Sequence, residues 1–134
     1  MGLGGSKEKE LVSWRAVAER ANHDSEFRLH ARFWTARVRF DIGDERTRVE
    51  VRDGRIDEAA PWFGALAGDL VVAAPETEWD KLLEPLPRPF YQDLYAATVH
   101  HGFLVSGATK HFCAYYPALR RLIEIMREVR HAGV

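Results

Sequence analysis

The longest amphipathic pattern in this chain lies in its last third, between residues 102 and 129. It opens with the apolar run 103–105, which Ser106-Gly107 closes, and this pattern is typical of a buried strand followed by a turn. Thr109 then stands where a helix N-cap is expected, and apolar residues recur beyond it at spacings of three and four. The spacing predicts a long terminal helix that needs a large apolar surface to lie on. Its apolar stripe consists of Phe112, Tyr115, Tyr116, Leu119, Leu122, Ile123, Met126 and Val129.

Pro117 lies inside this predicted helix. Proline has no backbone N–H and its ring clashes with the preceding turn, so it predicts a kink or a restart near Tyr115 and Tyr116. The stripe is aromatic before this point and aliphatic after it. We therefore expect the aliphatic back of the stripe to be ordinary core, and the aromatic front to border another feature.

The clearest strand signal is the strict alternation of apolar and polar residues between residues 32 and 42. The alternation resumes at residues 47–52 after the turn Gly43-Asp44, and Asp53-Gly54 is a hairpin signal that leads into a short third strand at 55–58. These segments predict an antiparallel meander with one buried and one solvated face. On the polar face, Arg37 or Arg39 is expected to pair with Glu50 across the ladder. The apolar face consists of Trp34, Ala36, Val38, Phe40, Ile42, Val49 and Val51.

The remaining patterns complete the order of elements. Residues 1–6 are expected to be disordered, an amphipathic helix is predicted at 7–22, and a loop at 59–68. The nearly continuous apolar run 69–74 predicts an interior strand covered on both faces. Helices are predicted at 77–84 and 90–101, separated by a stiff proline spacer. The order is α, β-β-β, β, α, α, β, α, which predicts one α+β domain over residues 7–134 with its helices packed on one sheet face.

The bulk composition excludes several classes of protein. The net charge of −1 provides no basic surplus for phosphate contacts, so we expect no nucleic-acid partner. A single cysteine, Cys113, excludes an internal disulfide framework and a zinc site of several thiolates. No apolar run approaches the ~20 residues of a membrane span, so stable membrane insertion is not expected. The N-terminus lacks the apolar segment of a signal peptide, and the expected location is therefore cytoplasmic.

The order and spacing of these features resemble those of the sterol carrier protein 2 (SCP2-like) family of lipid-binding domains. The resemblance covers roughly residues 30–130 and rests mostly on turn and packing signals. The matching segments are Val-Arg-Asp-Gly-Arg-Ile (51–56), Asp-Leu-Val-Val (69–72), Glu-Trp-Asp-Lys-Leu-Leu (78–83), Gly-Phe-Leu-Val-Ser-Gly (102–107) and Tyr-Pro-Ala-Leu-Arg-Arg-Leu (116–122). Two features depart from the family pattern, namely the Trp-Phe-Gly loop at 62–64 and the three aromatic residues of the helix before the last strand.

The resemblance implies a five-stranded, mainly antiparallel sheet with helices on one side. It also implies an apolar tunnel between sheet and helices that takes a fatty acyl chain or a sterol, in a carrier or binding module without catalytic residues, cofactor or metal. The apolar ligand is the expected partner, and a homodimer is left open. Either departure is expected to reshape or close the cavity.

The aromatic residues of the predicted helices and of the buried sheet face are expected to converge on one volume. Plain core packing accounts for such rings equally well. Several tyrosines on one face favour a pocket, because a solid core would bury each hydroxyl at a cost of ~1–3 kcal/mol when it has no partner. The predicted ligand-binding residues are Trp34, Val38, Trp79, Leu83, Phe90, Tyr91, Leu94, Tyr95, Phe112, Tyr115, Tyr116 and Leu119.

Two alternative functions use other residues. An acid–base enzyme of the isomerase or cyclase type would use Tyr95, His101, His111 or Tyr115 as proton handlers in the same pocket. A protein-interaction module would use the charged sheet face around Arg39. A metal site is not expected, because the six histidines show no metal-ligand spacing such as His-Glu-x-x-His.

Overall fold

A computed structural model of the chain describes residues 11–62 and 69–132. Six helices and five strands lie within this part of the chain. The helices are α1 (Trp14–Asn22), α2 (Ser25–Ala31), α3 (Glu76–Leu82), α4 (Leu94–His100), α5 (Thr109–Ala114) and α6 (Tyr116–His131). The strands are β1 (Ala36–Ile42), β2 (Glu45–Arg52), β3 (Arg55–Pro61), β4 (Leu70–Ala74) and β5 (Leu104–Gly107).

The five strands form one sheet in the order β3-β2-β1-β4-β5. Only β1 and β4 pair in parallel, and the other three neighbouring pairs are antiparallel. The sheet buries one face under helices, since the Phe40 ring of β1 contacts Trp14 of α1 at 5.0 Å and Trp79 of α3 at 6.0 Å between ring centroids. The predicted α+β class, with a five-stranded, mainly antiparallel sheet, is therefore confirmed.

The opposite face of the sheet carries charged residues that are paired with one another. The register places Arg37 opposite Glu50, as expected, whereas Arg39 lies opposite Arg48. Arg37 donates to the buried Asp69 carboxylate at 2.7 Å, and Arg48 pairs with Glu50 at 3.0 Å. Arg39 donates to both oxygens of the Asp41 carboxylate, at 2.8 and 3.0 Å. Because these charged side chains pair with one another, most of them are half-buried and not fully exposed. This face is therefore less solvated than the sequence predicts.

Helix α2 is absent from the prediction. The polar residues 22–25 indicate the end of α1 in the sequence, but in the structure they also begin a second helix. The Asp24 carboxylate accepts a hydrogen bond from the Phe27 backbone N–H at 2.8 Å and so caps α2. Because α2 extends to Ala31, the first strand begins at Ala36 and not at residue 32.

The last third of the chain corrects two further expectations. Strand β5 lies at the edge of the sheet, and its residue Leu104 is 67% exposed, so the strand is not buried as predicted. Phe103, the residue before the strand, is buried. Ala108, not Thr109, occupies the N-cap position of α5, and its side chain makes no capping bond. The predicted restart at Pro117 is confirmed, because α5 ends at Ala114 and α6 begins at Tyr116 with the proline in its first turn.

Other boundaries differ by a few residues. Strand β3 extends to Pro61, into the segment expected to be a loop, and α4 begins at Leu94, four residues later than expected. Strand β4 occupies an interior position as predicted, although alternate residues along it are only half-buried. The predicted disorder of residues 1–6, and most of the predicted loop at 59–68 with its Phe63-Gly64, concern residues outside those described. The prediction of a continuous helix over 7–22 is wrong at residues 11–13, which are not helical, and α1 begins at Trp14 with Ser13 at its N-cap position.

Two arginines of α6 connect this helix to its neighbours. Arg121 forms a bidentate pair with Asp24 at 2.9 and 3.0 Å, which joins α6 to the start of α2. Arg127 donates to the Leu82 carbonyl at 2.7 and 3.2 Å, and that carbonyl belongs to the last residue of α3. A cation is favourable there because the carbonyls at a helix C-terminus carry partial negative charge. These contacts fix α6 over the sheet.

Candidate functional site

Trp34 connects the start of β1 to the C-terminal helices. Its side chain is fully buried, its backbone N–H donates to the Ala31 carbonyl at 2.8 Å, and its carbonyl accepts from the Gly54 N–H at 3.0 Å. The indole Nε1–H donates to Nδ1 of His111 on α5 at 3.0 Å. The indole also stacks on Tyr115, with centroids 5.2 Å apart and planes 10° apart. Trp34 thus holds α5 and the start of α6 against the end of the sheet.

Helix α5 covers Trp34 but contains no fully buried residue. Phe112, Tyr115 and Tyr116 are half-buried, and we call these three residues with Trp34 the front aromatic group. The Phe112 and Tyr116 rings contact edge-to-face at 5.2 Å. Between Ala118 and Met126 one face of α6 is buried. The buried residues there are Ala118, Leu119, Leu122, Ile123, Ile125 and Met126.

The Tyr116 hydroxyl is held by hydrogen bonds on both sides. It donates to the Asp93 carboxylate and accepts from the Tyr95 backbone N–H at 2.8 Å. Burial raises the pKa of Tyr116, and the hydrogen bond to Asp93 raises it further. The hydroxyl therefore stays protonated and acts as a structural link between α6 and α4.

Tyr91 and the two adjacent histidines fasten the segment before α4. The Tyr91 hydroxyl donates to Glu78 at 2.6 Å; burial, followed by this bond, raises the pKa of Tyr91 to about 12. His101 stacks on Tyr91 at 3.7 Å and His100 stacks on Phe90 at 3.8 Å. Phe90 adopts φ +67°, an uncommon backbone conformation for a residue with a side chain. Both histidines therefore serve packing in this structure.

The predicted ligand-binding residues fall into three groups by exposure. Buried are Trp34, Val38, Trp79, Leu83, Tyr91, Leu94 and Leu119. Half-buried are Phe112, Tyr115 and Tyr116, and exposed are Phe90 and Tyr95. The front aromatic group is brought together, whereas Trp79 packs edge-to-face on Phe40 and on Phe103 in the core. The set is thus divided between the core, the α5 region and the outer surface of α4.

Among the cavities that open at the surface of the described residues, four have volumes of about 510, 320, 470 and 170 Å³. None of the four is lined by any of the predicted ligand-binding residues. The cavity of about 320 Å³ adjoins the front aromatic group, because His111 lines it and also accepts the hydrogen bond of Trp34. Its other lining residues are Thr35, Ala36, Arg37, Glu50, Val51 and Arg52.

His111 is not among the ligand-binding residues predicted from the sequence. It lies four positions before Tyr115, and residues at this spacing share one face of a helix. In the structure their rings are neighbours, with centroids 6.3 Å apart. The four-residue spacing between His111 and Tyr115 therefore indicates, from the sequence alone, that His111 lies beside the front aromatic group.

The candidate proton handlers make separate structural contacts. Tyr95 is 60% exposed, the His101 ring contacts the Pro89 carbonyl at 3.2 Å, and Tyr115 donates to the Phe33 carbonyl at 3.2 Å. Within residues 11–62 and 69–132, no three side chains of histidine, cysteine, aspartate or glutamate are grouped so as to hold a metal ion. No helix in the same part of the chain is long and apolar enough to cross a membrane.

Comparison with solved structures identifies the fold. A crystal structure of sterol carrier protein 2 matches with a TM-score of 0.69 and 18% identity, covering 85% of this chain and 92% of that one. The solution structure of a conserved hypothetical protein from Thermus thermophilus, described as a candidate sterol carrier protein, matches with a TM-score of 0.66 and 19% identity, covering 85% and 83%. No protein-family model and no curated protein matches the sequence. The chain therefore has the SCP2-like fold of sterol carrier protein 2.

Proposed function

We propose that this protein is a small binding or carrier module that holds an apolar ligand, such as a fatty acyl chain or a sterol, between the sheet and the helices. The ligand enters beneath α5 and lies against Trp34, Phe112, Tyr115 and Leu119. Two lines of evidence support this proposal. One is the shared fold with sterol carrier protein 2, and the other is the packing of α5.

The observation that carries the proposal is the contrast between the two halves of the C-terminal stripe. From Leu119 to Met126 the stripe is buried, whereas α5 covers a fully buried tryptophan without burying a residue of its own. Segments with few buried apolar contacts open at a lower free energy than the core does. Opening of α5 would expose the Trp34 indole and the apolar residues beneath it to a ligand.

An acyl chain that replaces solvent beside these rings is stabilised by apolar burial. Each buried methylene contributes ~0.8 kcal/mol, so ten methylenes contribute ~8 kcal/mol before the cost of ordering the chain. The Tyr116 hydroxyl is already engaged by Asp93 and Tyr95, so it anchors the site and leaves ligand contact to the rings.

The first test is native mass spectrometry of freshly purified protein. The proposal expects a fraction with added mass that disappears after delipidation, and it expects delipidated protein to take up a fluorescent fatty acid. Phe112→Ala removes a ring from beneath the entrance and should weaken uptake at least fivefold. Leu104→Ala is the matched control, because Leu104 is exposed at the sheet edge and its loss should leave uptake unchanged. A bare polypeptide mass together with no uptake would refute the proposal.

The alternative functions receive less support. Of the four candidate proton handlers, His111 and Tyr115 both contact Trp34, whereas Tyr95 is exposed and His101 stacks on Tyr91. The geometry therefore does not gather the four into one acid–base site. The Arg39 side chain is only 12% exposed and is paired with Asp41, which makes it a poor recognition residue for a protein partner. A homodimer stays a prediction, which light scattering of the purified protein tests directly.

A further inference from the structure

We infer that His111 is a pH-sensitive latch, which holds α5 closed over the ligand entrance while its imidazole is neutral and releases α5 when the imidazole is protonated. This inference concerns the regulation of the proposed site, and so it rests on the proposed function. Its consequence is that a bound apolar ligand leaves the protein faster in mildly acidic solution than in neutral solution.

The hydrogen bond between Trp34 and His111 provides the first argument. The Trp34 indole N–H is a donor only, and it points to Nδ1 of His111 at 3.0 Å. Nδ1 must therefore accept, and the proton of the neutral imidazole resides on Nε2. A protonated imidazole carries a hydrogen on both nitrogens, so it would place an N–H opposite the indole N–H. Protonation of His111 and its hydrogen bond to Trp34 therefore exclude each other.

The burial of Trp34 makes the loss of this bond unfavourable while α5 stays in place. The Trp34 side chain is fully buried, and a buried donor that loses its acceptor is destabilising. With His111 protonated, the closed arrangement would contain an unpaired indole N–H that faces a positively charged ring. Opening of α5 removes both penalties, because water then reaches the indole and the imidazolium.

The way in which α5 is held provides the second argument. This helix contains no fully buried residue, so apolar packing holds it less firmly than it holds the core. At its start the Ala108 N–H donates to the Asp69 carbonyl at 3.0 Å, and at its end Tyr115 stacks on Trp34. Between these two points, the His111 side chain ties α5 to the buried indole. Loss of this tie therefore shifts α5 toward its open state.

The charged groups beside His111 are balanced in pairs. Arg37 and Arg52 line the same cavity, and each pairs with an aspartate carboxylate, at 2.7 and 2.8 Å. Glu50 lines it as well and pairs with an arginine at 3.0 Å. The bond to Trp34 is thus the contact that changes when the ring gains a proton, and histidine is the side chain that titrates between about pH 5 and 8. The other titratable neighbours of the ring are Lys110 on α5 and Tyr115 at the start of α6.

The first test measures α5 itself and needs no ligand. Hydrogen–deuterium exchange of the backbone amides of residues 109–115 is followed at about pH 7.5 and about pH 5.5, and the pH dependence of chemical exchange is divided out. Protection of these amides should fall at least fivefold on acidification, as expected for the loss of one hydrogen bond. His111→Asn places an amide oxygen near the position of Nδ1, so it retains an acceptor that does not titrate. In this variant the protection should change less than twofold.

The second test measures ligand release. Delipidated protein is loaded with pyrene-labelled hexadecanol, a probe without a titratable group, and its dissociation is followed with excess cyclodextrin as the trap. The dissociation rate should rise at least fivefold from about pH 7.5 to about pH 5.5, and less than twofold in His111→Asn. His30→Asn is the matched control, because His30 is exposed on α2, and this variant should behave like the parent. Urea midpoints at both pH values verify that all three proteins are folded.

The outcomes separate failure of the latch from failure of the proposed function. If protection and release rate are the same at both pH values, or if His111→Asn keeps the pH dependence of the parent, the latch inference is wrong while the apolar site stands. Loss of the pH dependence in His30→Asn would equally contradict it. If the probe binds at neither pH, the proposed function fails, and the exchange measurement alone then supports or overturns the control of α5 by His111.

Discussion

The Tyr116 hydroxyl accepts a hydrogen bond from the Tyr95 backbone N–H at 2.8 Å, and in this way α6 caps the first turn of α4. The residue at the N-cap position of α4 is Asp93, whose side chain makes no capping bond of its own and instead accepts from Tyr116. A residue distant in sequence therefore performs the task that a local side chain usually performs at a helix start. The position of α4 thus depends on the docking of α6.

This relationship predicts the effect of Tyr116→Phe. Removal of the hydroxyl leaves the Tyr95 N–H and the Asp93 carboxylate without this partner, so the free energy of unfolding should fall by about 1–2 kcal/mol. Urea denaturation of the variant measures the loss. Tyr95→Ala is the control, because the exposed ring is removed while the backbone N–H is kept, and it should change stability by less than ~0.5 kcal/mol. Equal losses in both variants would contradict the capping role.

The pair between Asp24 and Arg121 predicts how stability depends on pH. The Arg121 guanidinium lowers the pKa of Asp24 in the folded protein below 3.8, and the capping bond from Phe27 acts in the same direction. A carboxylate with a lowered pKa stabilises the folded state fully above its unfolded pKa, and this contribution is lost as pH falls through the folded pKa. Stability should therefore decrease below about pH 4, with Asp24 among the groups responsible.

Asp24→Asn isolates this contribution. Asparagine retains the acceptor that caps α2 but removes the charge that faces Arg121. At neutral pH the variant should be less stable by about 1 kcal/mol, and the difference from the parent should shrink as pH falls below about 4. Urea midpoints at a series of pH values provide the measurement. Glu26→Gln is a suitable control, since Glu26 is more exposed and lies 3.7 Å from Arg121, and it should cost little at any pH.

Two glycines provide a matched test of backbone packing. Both Gly102 and Gly107 have positive φ, at +73° and +82°. A Cβ on Gly107 would lie 1.9 Å from the Asp69 carbonyl oxygen, whereas a Cβ on Gly102 would meet nothing within 4 Å. Gly102→Ala should therefore cost about 1–2 kcal/mol, from backbone strain alone. Gly107→Ala must also separate β5 from β4 and should cost well above this, or prevent folding. Thermal melts of the two variants check the order, and equal melting temperatures would contradict the contact.

Several features of the fold were predictable because their signals are local. The alternation at residues 36–42 predicts a strand with one buried face, and Asp53-Gly54 predicts the turn of the next hairpin. Pro117 predicts the restart of the terminal helix, since its missing N–H has the same consequence in any surroundings. The periodicity of the terminal stripe likewise identifies the face that α6 buries, from Leu119 to Met126.

Helix α2 and the exposure of β5 were not predictable from such signals. Asp24 and Ser25 follow one helix and precede another, and the same polar residues serve as an end signal and as a start signal. The apolar run 103–105 reads as a buried strand, but the position of β5 at the sheet edge leaves Leu104 exposed. Whether a strand is central or at an edge depends on its neighbours, which lie far away in sequence.

In the candidate site, too, some features were predictable from the sequence and others depend on tertiary packing. The order of residues along the chain was enough to fix the fold class and to indicate that the aromatic and aliphatic halves of the terminal stripe differ. The pairing of Trp34 with His111, across 77 residues, follows only from the docking of α5 on the end of the sheet. The physical reason is that periodicity records which face of an element is apolar, while the partner that a side chain meets is decided by how the elements pack together.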